Sequence, residues 1–126
     1  MGVGLTLDAG ALIAFERNDR RVTALVKRAR ERGEKLAAPA GVVGQVWRDG
    51  RRQERLARLL GSGVVEVVAL DDRGARAAGQ LCGTSGTSDV IDATVVLCAR
   101  ERSRRVVTSD PGDLRALDSH IDVITC

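Results

Sequence analysis

Short apolar runs alternate along this chain with stretches of helical periodicity, and that alternation limits the fold more than any other feature. Residues 3–7 (VGLTL), 36–38 (LAA), 64–70 (VVEVVAL), 105–108 (RVVT) and 121–125 (IDVIT) are too short for helices and too apolar for loops. Between them, residues 9–16, 39–47, 51–60, 71–82, 88–101 and 111–117 read as helices. Another helix, capped by Asp19 and stopped by Gly33, carries Val22, Leu25, Val26 and Ala29 at helical spacing. Pro39 is expected to open the helix that holds Val42, Val43, Val46 and Trp47. The segment GTSGTS, residues 83–88, reads as a loop. Strands that alternate with helices predict an α/β sandwich around a mostly parallel central sheet. The 126 residues suit a single domain over 1–126, with no repeat and no linker.

Composition narrows the function classes. The chain is 44% hydrophobic, which argues against disorder. Phe15 and Trp47 are its aromatic residues, so few rings exist for stacking bases. A net charge of +3 leans mildly toward anionic partners. No apolar run reaches the roughly 18 residues of a membrane span. MGVGLTLD has neither region of a signal peptide. Cys82, Cys98 and Cys126 fit neither a disulfide framework nor a zinc site, and reduced thiols in a cytoplasmic protein are expected. His120 stands alone, which excludes a two-histidine ribonuclease. A phosphate-binding loop of the Walker type is absent, because GTSGTS has no lysine.

Ligands of open parallel sheets gather at the carboxyl ends of the strands. Asp8 follows the first apolar run, and Asp110 follows RVVT. Asp89 and Asp92, three residues apart, share one face at the start of the helix over 88–101. Each of these can be read as a helix cap or first-turn acid: Asp8 before residues 9–16, Asp110 before Pro111, Asp113 just inside that helix. Capping by Thr87 or Ser88 would free both Asp89 and Asp92 from that duty. As a set the carboxylates repel one another unless a cation sits among them. Oxygen donors of this kind suit Mg²⁺, with Mn²⁺ as a second candidate. Such a cation would bind phosphate oxygens and activate a water for in-line attack.

Four segments in order, LTLDAGALIA, APAGVVGQVWR, TSDVIDATVVLCAR and RRVVTSDPGDL, give the chain a resemblance to PIN domains, and to the VapC-type toxin nucleases among them. The resemblance spans essentially the whole chain. It implies a PIN-like three-layer α/β/α sandwich and a Mg²⁺-dependent endoribonuclease. By motif position it implies catalytic roles for Asp8, Asp92 and Asp110, and a metal-ligand set of those three with Asp89. Asp113 is a possible addition. It further implies an RNA substrate, a homodimer, and a cognate VapB-like antitoxin whose tail covers the site.

One position departs from the pattern. Gln45 stands in APAGVVGQVWR where the family usually has glutamate. Glutamine keeps an oxygen acceptor and loses the charge. It is expected to face the site. The alternative reading is therefore a catalytically weak PIN-like module that binds RNA or antitoxin. A third is a plain α/β domain whose aspartates only cap helices. Arg48, Arg51, Arg52, Arg55 and Arg58 form one basic cluster and Arg100, Arg102, Arg104 and Arg105 another. These are solvated helix faces or, for some, contacts to RNA phosphates.

Overall fold

The computed structural model describes residues 4–102 and 105–126. The expectations for Val3 in the first strand and Arg104 in the second basic cluster lie outside them. The strands are β1 (Gly4–Leu7), β2 (Lys35–Pro39), β3 (Val65–Val68), β4 (Arg105–Thr108) and β5 (Val123–Thr125). They form one sheet in the order β3-β2-β1-β4-β5, and every pairing is parallel. The helices are α1 (Ala9–Glu16), α2 (Arg20–Glu31), α3 (Ala40–Val46), α4 (Glu54–Gly61), α5 (Asp72–Ser85), α6 (Val90–Arg102) and α7 (Pro111–Leu117). They flank the sheet in an α/β arrangement, as the alternation of runs predicts, and it is consistent with the PIN-like fold that the resemblance implies.

The order of strands fixes where a site can form. From β1 the chain moves outward through β2 to β3, then returns to β4 on the other side of β1 and continues to β5. The direction reverses between β1 and β4, which leaves a crevice at their carboxyl ends. Leu7 pairs with Val107 there, and the Asp8 N–H donates to the Val107 carbonyl at 3.1 Å.

The core is aliphatic, as the scarcity of rings requires. Leu5, Leu7, Leu36, Val106 and Val107 come from the strands, while Leu12, Val22, Val26, Val42, Leu56 and Leu114 come from the helices. Spacing of four and three puts Val22, Val26 and Ala29 on the inner face of α2. Helix α6 is different: six of its residues from Ala93 to Ala99 are buried, because it lies between the sheet and both α5 and α7. A helix covered this fully has little exposed surface beyond its two ends.

Several boundaries differ from the sequence expectations, each for a local reason. Pro39 ends β2, paired with Val68, instead of opening a helix; its φ of −60° and ψ of 143° suit extended backbone. Trp47 lies past the end of α3 in extended conformation. Residues 50–52 are turn, so α4 starts only at Glu54. Its first N–H groups are met from elsewhere: Glu16 of α1 accepts from Leu56 N–H at 2.7 Å. Helix α5 runs through Gly83 to Ser85 and stops at Gly86, whose φ of 72° is left-handed, so half of GTSGTS is helical. Asp19 holds the cap position of α2 without a side-chain hydrogen bond to it.

One glycine is a packing requirement. A Cβ on Gly10 would stand 2.1 Å from Ser109 Oγ, 2.8 Å from its Cβ and 3.0 Å from its backbone nitrogen. The first turn of α1 and the turn after β4 therefore touch at backbone distance. Gly10→Ala should cost about 1–3 kcal/mol through forced separation of these turns. Urea unfolding of the variant checks this, and unchanged stability would show that the turns can part freely.

Candidate active site

Asp8 is the buried member of the site, 6% exposed at the end of β1. Its two oxygens have separate partners. Oδ1 accepts from Ala9 N–H at 2.6 Å, so the capping role expected of Asp8 is real. Oδ2 accepts from the Thr108 hydroxyl at 2.8 Å. Thr108 is fully buried at the end of β4, and its Oγ1 accepts from Asp110 N–H at 3.0 Å. A hydroxyl has one proton. With Asp110 N–H occupying an acceptor position, that proton goes to Asp8. Thr108 thus ties the carboxylate after β1 to the backbone that carries Asp110.

Burial raises the Asp8 pKa above the ordinary carboxylate value. The Thr108 and Ala9 hydrogen bonds act against this, and the charges of Asp110 and Asp89 add to it. Asp92, partly buried in the first turn of α6, is pushed up to about 7. Burial is the largest cause, followed by the charges of Asp89, Asp8 and Asp113. The aspartates predicted from sequence therefore share one electrostatic neighbourhood. Asp113 belongs to it through its effect on Asp92.

Asp89 and Asp110 are exposed, and their roles differ from the sequence expectation in one respect each. Asp89 itself caps α6: its Oδ1 accepts from Asp92 N–H at 2.9 Å, and its carbonyl accepts from Ala93 N–H. The expected cap, Thr87 or Ser88, is not used; the Thr87 hydroxyl is buried without a hydrogen-bond partner. Asp110 precedes Pro111 in the cap position of α7 but makes no side-chain cap bond. The simple capping explanation thus holds for Asp8 and Asp89 and fails for Asp110.

Gln45 is exposed on α3, and among the described residues it hydrogen-bonds to none of these carboxylates. Sequence reasoning missed Thr108. Its signal was the hydroxyl in TSD, two residues before Asp110 at a strand end.

The donor set is all oxygen, which fits a hard divalent cation. Among the described residues no three of the acidic, histidine or cysteine side chains stand together in a ready-made coordination group. What favours a cation here is charge: mutually repelling carboxylates, one of them raised to about 7, surround a partly desolvated crevice.

Comparison with known proteins adds the fold. No family model matches the chain, and no curated protein matches it. Among solved structures, a chain of VapBC2 from Rickettsia felis, bound to a DNA fragment from their promoter, superposes with a TM-score of 0.72 at 10% identity, covering 98% of each chain. A toxin–antitoxin complex from Klebsiella pneumoniae gives 0.70 at 15%, covering 97% of each. FitAcB from Neisseria gonorrhoeae gives 0.64 at 18%, covering 96% of each. At such identities the likeness establishes the fold alone. The resemblance to VapC-type toxins is corrected accordingly. One of these structures is a toxin–antitoxin complex, and sharing a fold with it does not assign this chain to the toxin nucleases.

Two outcomes follow for the metal-free protein. A folded-state pKa of about 7 against 3.8 for an ordinary aspartate means that Asp92 favours the folded state below pH 3.8, and that this contribution is lost as pH rises through 7. Asp92→Asn should therefore raise the melting temperature in EDTA more at pH 8 than at pH 5; an equal effect at both would remove Asp92 from the strained set. Thr108→Val keeps the shape and strands Asp8 Oδ2 and Asp110 N–H, so it should cost about 1–3 kcal/mol in urea unfolding.

Proposed function

We propose that the chain is a metal-dependent hydrolase of RNA phosphodiester bonds and one member of a toxin–antitoxin pair. The observation that carries the catalytic half is the gathering of Asp8, Asp89, Asp92 and Asp110 about the crevice between β1 and β4, with Asp92 raised to about 7 by burial and by its acidic neighbours. The pairing half is supported by the shared fold of the VapBC2, FitAcB and Klebsiella complexes.

Asp8, Asp92 and Asp110 would hold Mg²⁺ or Mn²⁺, with Asp89 as a further ligand. Bound there, the cation supplies Lewis-acid stabilisation of phosphate charge and a water of lowered pKa. The chain's own residues set the geometry. Thr108 holds Asp8 Oδ2 in one direction. The Asp8 N–H bond to Val107 fixes the ends of β1 and β4 side by side. Asp89 holds the first turn of α6 and so the backbone of Asp92. The exposed Asp110 and Asp113 leave the crevice open on the α7 side, where an extended strand of RNA can approach.

A second reading, an RNA- or antitoxin-binding module with weak catalysis, is favoured by one observation. Gln45 brings neither a charge nor a hydrogen bond to the acidic group. Incubation of the purified chain with RNA and Mg²⁺ separates the two. Asp8→Asn and Asp110→Asn should each reduce cleavage by more than about 100-fold, with circular dichroism unchanged. Cleavage at the unmodified rate by either variant would place the chemistry elsewhere. If Gln45→Glu raises a weak starting activity by tenfold or more (about 1.4 kcal/mol), the binding-module reading stands; if it leaves a robust activity unchanged, the hydrolase reading does.

A further inference from the structure

A cavity of about 580 Å³ lies at the opposite end of the sheet from the acidic crevice, where β1, β4 and β5 begin. It is separated from the acidic crevice by the length of a strand, on the order of 13 Å. Leu5, Leu25, Ile121 and Ile124 give it an apolar wall. Four arginines, Arg28, Arg32, Arg100 and Arg105, and His120 line it as well.

Three of those arginines already have partners on the same lining. Arg100 pairs with Asp118 at 3.0 Å and Arg105 with Asp122 at 3.3 Å. Arg32 reaches Glu34 only at 3.9 Å. Arg28 has no ion pair and no side-chain hydrogen bond among the described residues. Three carboxylates thus face four guanidinium groups, and the unmatched one stands in the last turn of α2, four residues before the loosely held Arg32 that follows the helix. Arg28 is itself exposed, but its surplus charge borders a half-open hollow with an apolar wall, and that combination of a few placed polar groups and apolar surface is what small-ligand sites present. The planar fork of a guanidinium matches phosphate oxygens in pairs.

We propose that this cavity binds a phosphate monoester with an aromatic or apolar body, of mononucleotide size, with the phosphate on Arg28 and Arg32 and the body against Leu5, Leu25, Ile121 and Ile124. The site is independent of the acidic crevice and needs no divalent cation. Its charge balance predicts a salt-dependent affinity.

Calorimetric titration of the full chain in EDTA tests this, with adenosine 5′-monophosphate, adenosine and inorganic phosphate as probes. The nucleotide should bind saturably with a Kd below about 1 mM. Adenosine and phosphate alone should each bind at least about tenfold more weakly, since each lacks one half of the recognition. Arg28→Ala should weaken nucleotide binding at least about tenfold, Arg28→Lys less, and Asp8→Asn not at all. Arg28 is exposed, so its variants should keep the fold, which circular dichroism checks. Amide shifts on titration should fall in residues 25–32 and 118–124. No saturable binding by the nucleotide, an unchanged affinity in Arg28→Ala, or shifts confined to the Asp8 region would each overturn the proposal. Phosphate binding as tightly as the nucleotide would refute the apolar half of the site and with it the assignment to a phosphate monoester.

Discussion

The hydroxyl of Thr108 is the joint on which this architecture turns. It lies fully buried between two strands that run side by side but are separated by a hundred residues of chain. By donating to Asp8 and accepting from Asp110 N–H it satisfies a carboxylate that would otherwise be costly to bury. A parallel sheet with a reversal of direction between β1 and β4 provides the crevice; the threonine decides how one carboxylate is held inside it. Gly10 serves the same junction by a different means. Its missing side chain lets the start of α1 and the turn after β4 meet.

Around this joint the protein concentrates like charge where most folds would disperse it. Asp8 and Asp92 are both shifted upward by burial first and by neighbouring carboxylates second. Elsewhere opposite charges meet in exposed pairs such as Arg76–Asp72 and Arg58–Glu54, which contribute little to stability. A cluster of like charge that is partly buried and raises the pKa of its own members is what functional sites often present.

Much of this was legible in the amino-acid sequence. Short apolar runs and helical spacing located all five strands and seven helices among the described residues, because most elements turn a set of aliphatic side chains toward the core. Asp8 and Asp110 were placed correctly at strand ends because the apolar runs stop on them. What sequence could not reveal depended on long-range partners. Nothing in the local chain says that Thr108 reaches Asp8, or that Glu16 caps α4 forty residues away. Capping at α6 was misread for a related reason: Thr87, Ser88 and Asp89 are all capable caps, and only the path of the chain after Gly86 selects Asp89. Pro39 was misread because a proline before a helix suits the end of a strand equally well. The family resemblance rested on short motifs that follow from the fold itself, so it carried the architecture further than the identity.

The cap at α6 has a consequence for how the acidic group can take a ligand. Asp89 Oδ1 accepts from the Asp92 N–H, so a ligand that draws on that oxygen must share it with the first turn of the helix. The carboxylate that would meet a ligand is thus the same one that orders the backbone of Asp92. Occupancy of the crevice and order at the head of α6 become reciprocal quantities: whatever steadies one must steady the other by the same free energy.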